Sequence, residues 1–220
     1  MNPVLSGRVA VDWGRIVVVP LFIGTLLLNL LVMVRALHGG LSGLAVACSV
    51  LASAGTIAFQ VLVILAYLRR GPATATTASA SARVAAVVAT WLPLLVLPWL
   101  GTGRNEQLDV AASVLIAMAM GLALWSVTAL GTNISVFAQT RQLAERGPYR
   151  LVRHPLYLAE VIAVAGITLH TARLAAVSLV AVMAVLQAFR AAHEERLLVA
   201  TLPGYLEYRQ RTAQLIPRVL

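Results

Sequence analysis

Side chains able to hold a proton, a charge or a cofactor are concentrated in two stretches of this chain, Gly131 to Glu160 (GTNISVFAQTRQLAERGPYRLVRHPLYLAE) and Phe189 to Pro217 (FRAAHEERLLVATLPGYLEYRQRTAQLIP). In the first, Gly147-Pro148 reads as a turn and His154-Pro155 as a helix start, with Pro155 at the first helical position, where a missing N–H costs nothing. The free N–H groups and partial positive charge of such a start suit a carboxylate or phosphate. At about 100° per residue, Arg153, His154, Tyr157 and Glu160 share an arc of roughly 120°, a face too polar for lipid. The plainer alternative is arginines at headgroup level with His154 capping a helix. In the second stretch Arg190, His193, Glu194 and Leu197 share one helical face while Glu195 points elsewhere, and Arg190 and Glu194 have the spacing of an i,i+4 pair. Facing a cavity, that pair would position a charged ligand; facing water, it is ordinary ion pairing.

The elements that must position these residues are membrane helices. Of the 220 residues, 60% are hydrophobic and 11% charged, with a mean hydropathy of +0.87, far from the balance of a water-soluble domain. Six apolar segments, about 16–37, 42–68, 84–101, 109–131, 155–170 and 174–192, are long enough or nearly so to cross a hydrocarbon core of about 30 Å. Backbone facing lipid must satisfy its own polar groups, and no alternating strands of a barrel are present, so the expected fold is an all-α polytopic transmembrane bundle with a C-terminal cytosolic amphipathic segment. Span three, with Pro93 and Pro98, and the short span five are the weakest of the six.

The net charge of +9 comes from arginine alone, as the chain has no lysine. These arginines lie in the gaps between apolar runs, where they meet anionic headgroups, and this argues against a nucleic-acid partner. Arg8, Arg15, Arg69, Arg70, Arg83, Arg141, Arg146, Arg150 and Arg153 fall in alternate gaps, which puts those gaps and both termini in the cytoplasm. Arg104 and Arg173 are the lone arginines of two outer connections, and Arg35 must snorkel. Arg69 to Arg83, RRGPATATTASASAR, reads as a flexible connector. It divides an N-terminal hairpin and loop (1–83) from a four-span core (84–220). Cys48 is the only cysteine, so no disulfide or cysteine metal site forms within the chain. The first span is too long for the apolar core of a signal peptide and reads as retained.

The run GPYRLVRHPLY (Gly147 to Tyr157), followed after a helical hairpin by HEERLL, PGYLEYRQR and LIP, resembles the isoprenylcysteine carboxyl methyltransferase and phospholipid methyltransferase superfamily of integral membrane enzymes. The resemblance covers about residues 130–217. It implies a S-adenosylmethionine (SAM) pocket built by the last two spans, the loop before them and the C-terminal segment. Leu143, Tyr149, Arg153, His154, Pro155, Tyr157 and Glu194 would bind the cofactor; Arg190, with Glu194, would serve the acceptor and the chemistry. Asn133, Ser135 and Gln139 are candidates for the polar residue the family uses ahead of the turn. The chain departs from the family pattern after the glutamates, where Leu202-Pro203-Gly204 replaces the usual Phe-Gly and Tyr205 and Tyr208 stand one residue closer.

Methyl transfer from a sulfonium needs the methyl and the nucleophile held at near-attack distance, and a charge-cancelling transfer to a carboxylate or thiolate gains from exclusion of water. An amine acceptor would also need a base, for which Glu160, Glu194 and His154 are candidates. The expected partners are membrane lipids and a lipophilic methyl acceptor: an isoprenylcysteine-type carboxylate by resemblance, with a phospholipid amine or a small thiol as alternatives. Other designs fit less well. Gly101-Thr102-Gly103 is the only G-x-G and no strand precedes it, so a soluble nucleotide-binding turn is not expected. His38, His154, His170 and His193 do not form spaced pairs, and no metal is expected. A small transporter would place ionisable groups near mid-membrane, where spans one, two and four are nearly free of charge.

Overall fold

The computed structural model describes residues 4–6, 13–38, 43–71, 75–77, 79–100, 105–135, 139–140, 143–171 and 174–216. The Gly101-Thr102-Gly103 turn, Arg8, Arg104, Arg141, Arg173 and Pro217 lie outside them.

Six long helices form the bundle, and they correspond to the six apolar segments: α1 (Trp13–His38), α2 (Gly43–Arg69), α3 (Ala80–Leu100), α4 (Glu106–Leu130), α5 (Pro155–Thr171) and α6 (Leu174–Thr201). A short amphipathic helix, α7 (Tyr205–Arg211), follows. α1, α2, α4 and α6 each contain a stretch long and apolar enough to cross a membrane, whereas α5 has 17 residues. Pro20 and Pro93 lie inside α1 and α3, positions that membrane helices tolerate. Large apolar side chains cover the outside of the bundle: on α1, Leu27, Leu28 and Val34 are exposed, as are Leu44 and Leu51 on α2 and Val185 on α6. In water such a surface would be an aggregation hazard. In hydrocarbon it is solvated.

Small residues let the helices approach closely. A Cβ on Gly166 of α5 would lie 2.8 Å from Ile116 Cγ1 and 3.1 Å from the Ala112 carbonyl of α4, and one on Gly55 of α2 would lie 3.1 Å from Met120 Cβ. Ala112, Ala119 and Ala123 are buried along the same face of α4. Without a hydrophobic drive between helices in lipid, such dispersion-rich contacts supply the association energy. α4 begins with Asn105, whose side chain accepts from the backbone N–H groups of Gln107 (3.1 Å) and Leu108 (3.2 Å). Near that end Asp109 pairs with His170 of α5 at 2.8 Å.

The opposite end of the bundle gathers the start of α1 and α5 and the ends of α2, α4 and α6. Three very short antiparallel strands lie among its connections: β1 (Val4–Ser6), β2 (Ala75–Thr77) and β3 (Gln139–Thr140), with β2 central. The Arg69 to Arg83 connector is therefore tied at its middle by backbone pairing, and also at its start. Arg15 donates to the carbonyls of Tyr67 (3.0 Å) and Arg70 (2.8 Å), capping α2, and buried Arg70 stacks on Tyr67 and donates to the Ile134 carbonyl. Val18, Val63, Ala66, Tyr67, Val127 and Ile134 form one apolar cluster. It joins the N-terminal hairpin to the loop leaving α4.

Candidate functional site

The segment between α4 and α5 is shaped by local geometry. Gly131 and Gly147 have positive φ of 57° and 59°, the region where a Cβ is strained. A Cβ on Gly147 would also lie 3.0 Å from the Trp125 indole nitrogen, so the turn is pressed against α4. Gly147–Arg150 forms one 3-10 turn, Tyr149 is buried, and Pro155 starts α5 as its sequence position predicts.

Beside this segment runs the C-terminal tail. The backbone N–H groups of Arg153 and His154 donate to the carbonyls of Ala213 (2.8 Å) and Gln214 (3.1 Å). The Arg153 guanidinium clamps the same tail, donating to the carbonyls of Arg209 and Thr212 and, through Nε, to Glu195 Oε1 at 2.7 Å. α7 is thereby laid over the site. Tyr205 and Tyr208 are buried, and Tyr208 donates to the Tyr149 carbonyl at 2.7 Å. Both tyrosines of this amphipathic segment thus face the bundle.

The end of α6 is paired on more than one side. Glu195 lies off the Arg190–Glu194 face, yet it is buried and takes Arg153, His154 Nε2 (3.3 Å) and Arg209 (3.3 Å) as partners. Glu194 accepts from Tyr157 Oη at 2.6 Å and lies 3.7 Å from His154 Nδ1. The imidazole thus stands between two carboxylates, stacked on Tyr157 with ring centroids 5.2 Å apart. The Arg190 guanidinium lies 4.5 Å from the Tyr157 ring centroid and donates to Gln187 (2.9 Å) and Glu160 (3.3 Å), and Gln187 also donates to Glu160. His193 stays out of the site, against Phe189.

These side chains surround a cleft with an interior of about 100 Å³, or about 760 Å³ with its open mouth. Six of the sequence candidates line it together: Leu143, Tyr149, Arg153, His154, Tyr157 and Glu194. Of the upstream polar candidates, Asn133 and Ser135 line it as well; the Gln139 side chain is not among those described. Pro155 is fully buried behind the wall, and Arg190 stands in the layer beneath Tyr157. Tyr205, Tyr208 and the apolar Leu198 and Leu202 complete the cleft. No periodicity signal separates these from ordinary packing residues; the doubled tyrosine spacing was the only hint.

Burial holds the phenols of the loop and of α7 in their neutral form. The Tyr149 hydroxyl is raised well above its usual range by burial, reinforced by Glu194 and Tyr208. Burial likewise pushes Tyr208 up to about 12. Both remain hydrogen-bond donors throughout the physiological range. Tyr205 lines the cleft, and its Oη is buried with no hydrogen-bond partner among the described residues.

A second cavity, of about 440 Å³, lies deeper in the bundle, among α1 to α6. Its lining is largely apolar, with Glu160 and Gln60 among the polar exceptions. Leu156 lines both spaces, so the cleft and the cavity are separated by a layer of Leu156, Tyr157 and the Arg190–Glu160 pair.

The phospholipid methyltransferase family model matches residues 108–202. Over this stretch the chain is similar to that family. It runs from α4 to the end of α6 and contains both halves of the cleft, apart from α7 and the tail. The chain is also similar to the cobalt-zinc-cadmium resistance protein CzcN of Cupriavidus metallidurans, 28% identical over 121 residues. The match covers 54% of this chain and 56% of that relative, so it spans little more than half the relative's length. With its apolar helices and its family stretch, the chain is an integral membrane protein.

Proposed function

We propose that this protein is a membrane methyltransferase that takes its methyl group from SAM, held in the polar cleft, and delivers it to a lipophilic acceptor held in the bundle. The observation that carries this reading is the convergence of Tyr149, His154, Tyr157 and Glu194 on one cleft that abuts a largely apolar cavity.

The cleft's chemistry fits such a cofactor. Glu194, with its side chain one-quarter exposed, offers a carboxylate for the cationic parts of the molecule. The stacked His154 and Tyr157 rings offer a flat face, Leu143, Leu198 and Leu202 an apolar wall, and Asn133 and Ser135 hydrogen-bonding partners. When bound, SAM supplies an electrophilic methyl group. The chain's own residues do the rest. Tyr157 orients Glu194, Glu195 orients His154 and Arg153, and α7 excludes water from the cleft.

Arg190 and Glu160, adjoining the apolar cavity, are suited to meet the acceptor's reacting group. For a carboxylate acceptor, as in the isoprenylcysteine enzymes that the chain resembles, Arg190 would provide the counter-charge. For a phospholipid amine, Glu160 would take the released proton; a small thiol would use the same space. The arginine distribution supports a cytoplasmic cleft with both termini on that side.

Binding of SAM to detergent-purified protein, with Tyr157→Ala and Glu194→Ala alongside, tests the reading. Saturable binding that is lost in both variants is expected; well-folded protein with no measurable binding refutes it. Labelled methyl incorporation into a lipid extract then identifies the acceptor class.

A further inference from the structure

The deep cavity has a length as well as a volume. Its lining residues run from 21 to 32 on α1, from 49 to 60 on α2 and from 156 to 170 on α5, which at about 1.5 Å of rise per residue makes it roughly 16–21 Å long, parallel to the helices. Between its ends the wall is mainly hydrocarbon, supplied by Phe22, Phe59, Ala89, Val164 and Met183 among others. The hydroxyls of Thr25, Thr56 and Thr90, which also line it, donate to the carbonyls of Leu21, Ala52 and Ala86 on their own helices, so they demand no polar partner from an occupant. Each end carries a polar pair. Glu160, 3.3 Å from Arg190, lines the cleft end with its side chain 34% exposed. His170, 2.8 Å from Asp109, lines the far end with its side chain 31% exposed.

We infer that the cavity selects its acceptor by chain length: it takes one hydrocarbon chain, threaded along the bundle with its reacting head at the Arg190–Glu160 layer and its methyl end at Ser49 and the Asp109–His170 pair, which form the length stop. This rests on the reading of the cleft and cavity as cofactor and acceptor sites. Volume and length agree on a single chain. A methylene fills about as much space as a water molecule, about 30 Å³, so a cavity of about 440 Å³ holds roughly fifteen carbons, and a second chain of that length has no room beside the first. In a membrane the chain leaves hydrocarbon to enter hydrocarbon, so apolar burial gives no preference and the fit decides. A shorter chain leaves a void whose lining loses its contacts. A longer one drives its methyl end against the Asp109–His170 pair, shielding polar groups without offering them a partner.

The test uses the full chain in phosphatidylcholine nanodiscs and tritiated single-chain probes of about ten to about twenty carbons, each with a diazirine at the methyl end, one series with a carboxylate head and another with a primary amine. In the series that binds, affinity is expected to peak at about fifteen carbons and to fall about tenfold or more by about twenty. The best probe is expected to photolabel the far end of the cavity, at Ser49, Ser113, Ile167 or His170. Ser49→Phe, which fills that end, is expected to move the peak about three carbons shorter while the shortest probe binds as it does to wild type. Affinity that stays level or rises to the longest probe overturns the inference, and so does labelling confined to outward residues such as Leu27 and Leu51. An unmoved peak in a folded Ser49→Phe variant, or no saturable labelling in either series, overturns it also. Should that variant not fold, the wild-type length profile and label position decide. Failure of wild type to bind SAM in equilibrium dialysis would instead refute the methyltransferase reading, a separate result.

Discussion

Tyr157 touches more of the proposed chemistry than any other side chain on α5. Its hydroxyl orients Glu194 at 2.6 Å, one ring face stacks on His154, and its ring also meets Arg190. Tyr157→Phe keeps the ring contacts and removes one hydrogen bond to a charged group, a loss of about 1.5–3 kcal/mol. Titration calorimetry is expected to show SAM binding weakened by roughly ten- to a hundredfold, as Glu194 loses its orientation, together with a lowered melting temperature. Tyr208 offers a pH test. Its pKa is raised to about 12 by burial, so the folded state holds its proton after the unfolded chain has released it near the ordinary phenol value of about 10. Stability from this group is therefore full below pH about 10 and lost as pH rises toward 12. Tyr208→Phe, which also loses the bond to the Tyr149 carbonyl, is expected to cost about 1 kcal/mol at neutral pH and to flatten the alkaline fall in melting temperature.

At the scale of elements, two junctions hold the site in shape. α4 and α5 meet where Gly166 touches Ile116 and the Ala112 carbonyl. Gly166→Leu forces the helices apart and is expected to destabilise the fold by about 1–3 kcal/mol, read as a lower melting temperature in detergent. The tail and α7 are held by Arg153 and Glu195. Glu195→Ala leaves a buried guanidinium without its carboxylate, at a cost of roughly 3–5 kcal/mol. Hydrogen exchange is expected to rise first in residues 205–216, with α1 and α2 unaffected. A uniform rise over all helices would show that the clamp is not local. These junctions explain what the linear pattern concealed. A helical wheel places Glu195 off the Arg190–Glu194 face, but α6 ends inside a ring of other elements, and its other face meets Arg153 of the loop.

At the scale of the whole molecule, the bundle presents a polar end with the cleft and an opposite end with the Asp109–His170 pair. Single cysteines at Glu145 and at Glu106, in a Cys48→Ala background, separate the two sides. A membrane-impermeant thiol reagent applied to intact cells is expected to label position 106 and spare 145; the reverse pattern would invert the orientation.

How much of this the chain announces by itself differs by level. Six helices, their order and their membrane setting follow from long apolar runs, because in hydrocarbon each backbone polar group must be satisfied within its own helix and hydropathy alone reports that need. The first half of the site was similarly legible: Pro155 sets a helix start, and Tyr149, Arg153, His154 and Tyr157 are close enough along the chain for local geometry to group them. The role of Glu195, the inward turn of Tyr205 and Tyr208, the pinning of the Arg69 to Arg83 connector and the deep cavity were decided only by tertiary structure. Each depends on a partner about forty or more residues away in sequence, or on the space left when several helices pack, and no periodicity within one segment encodes either.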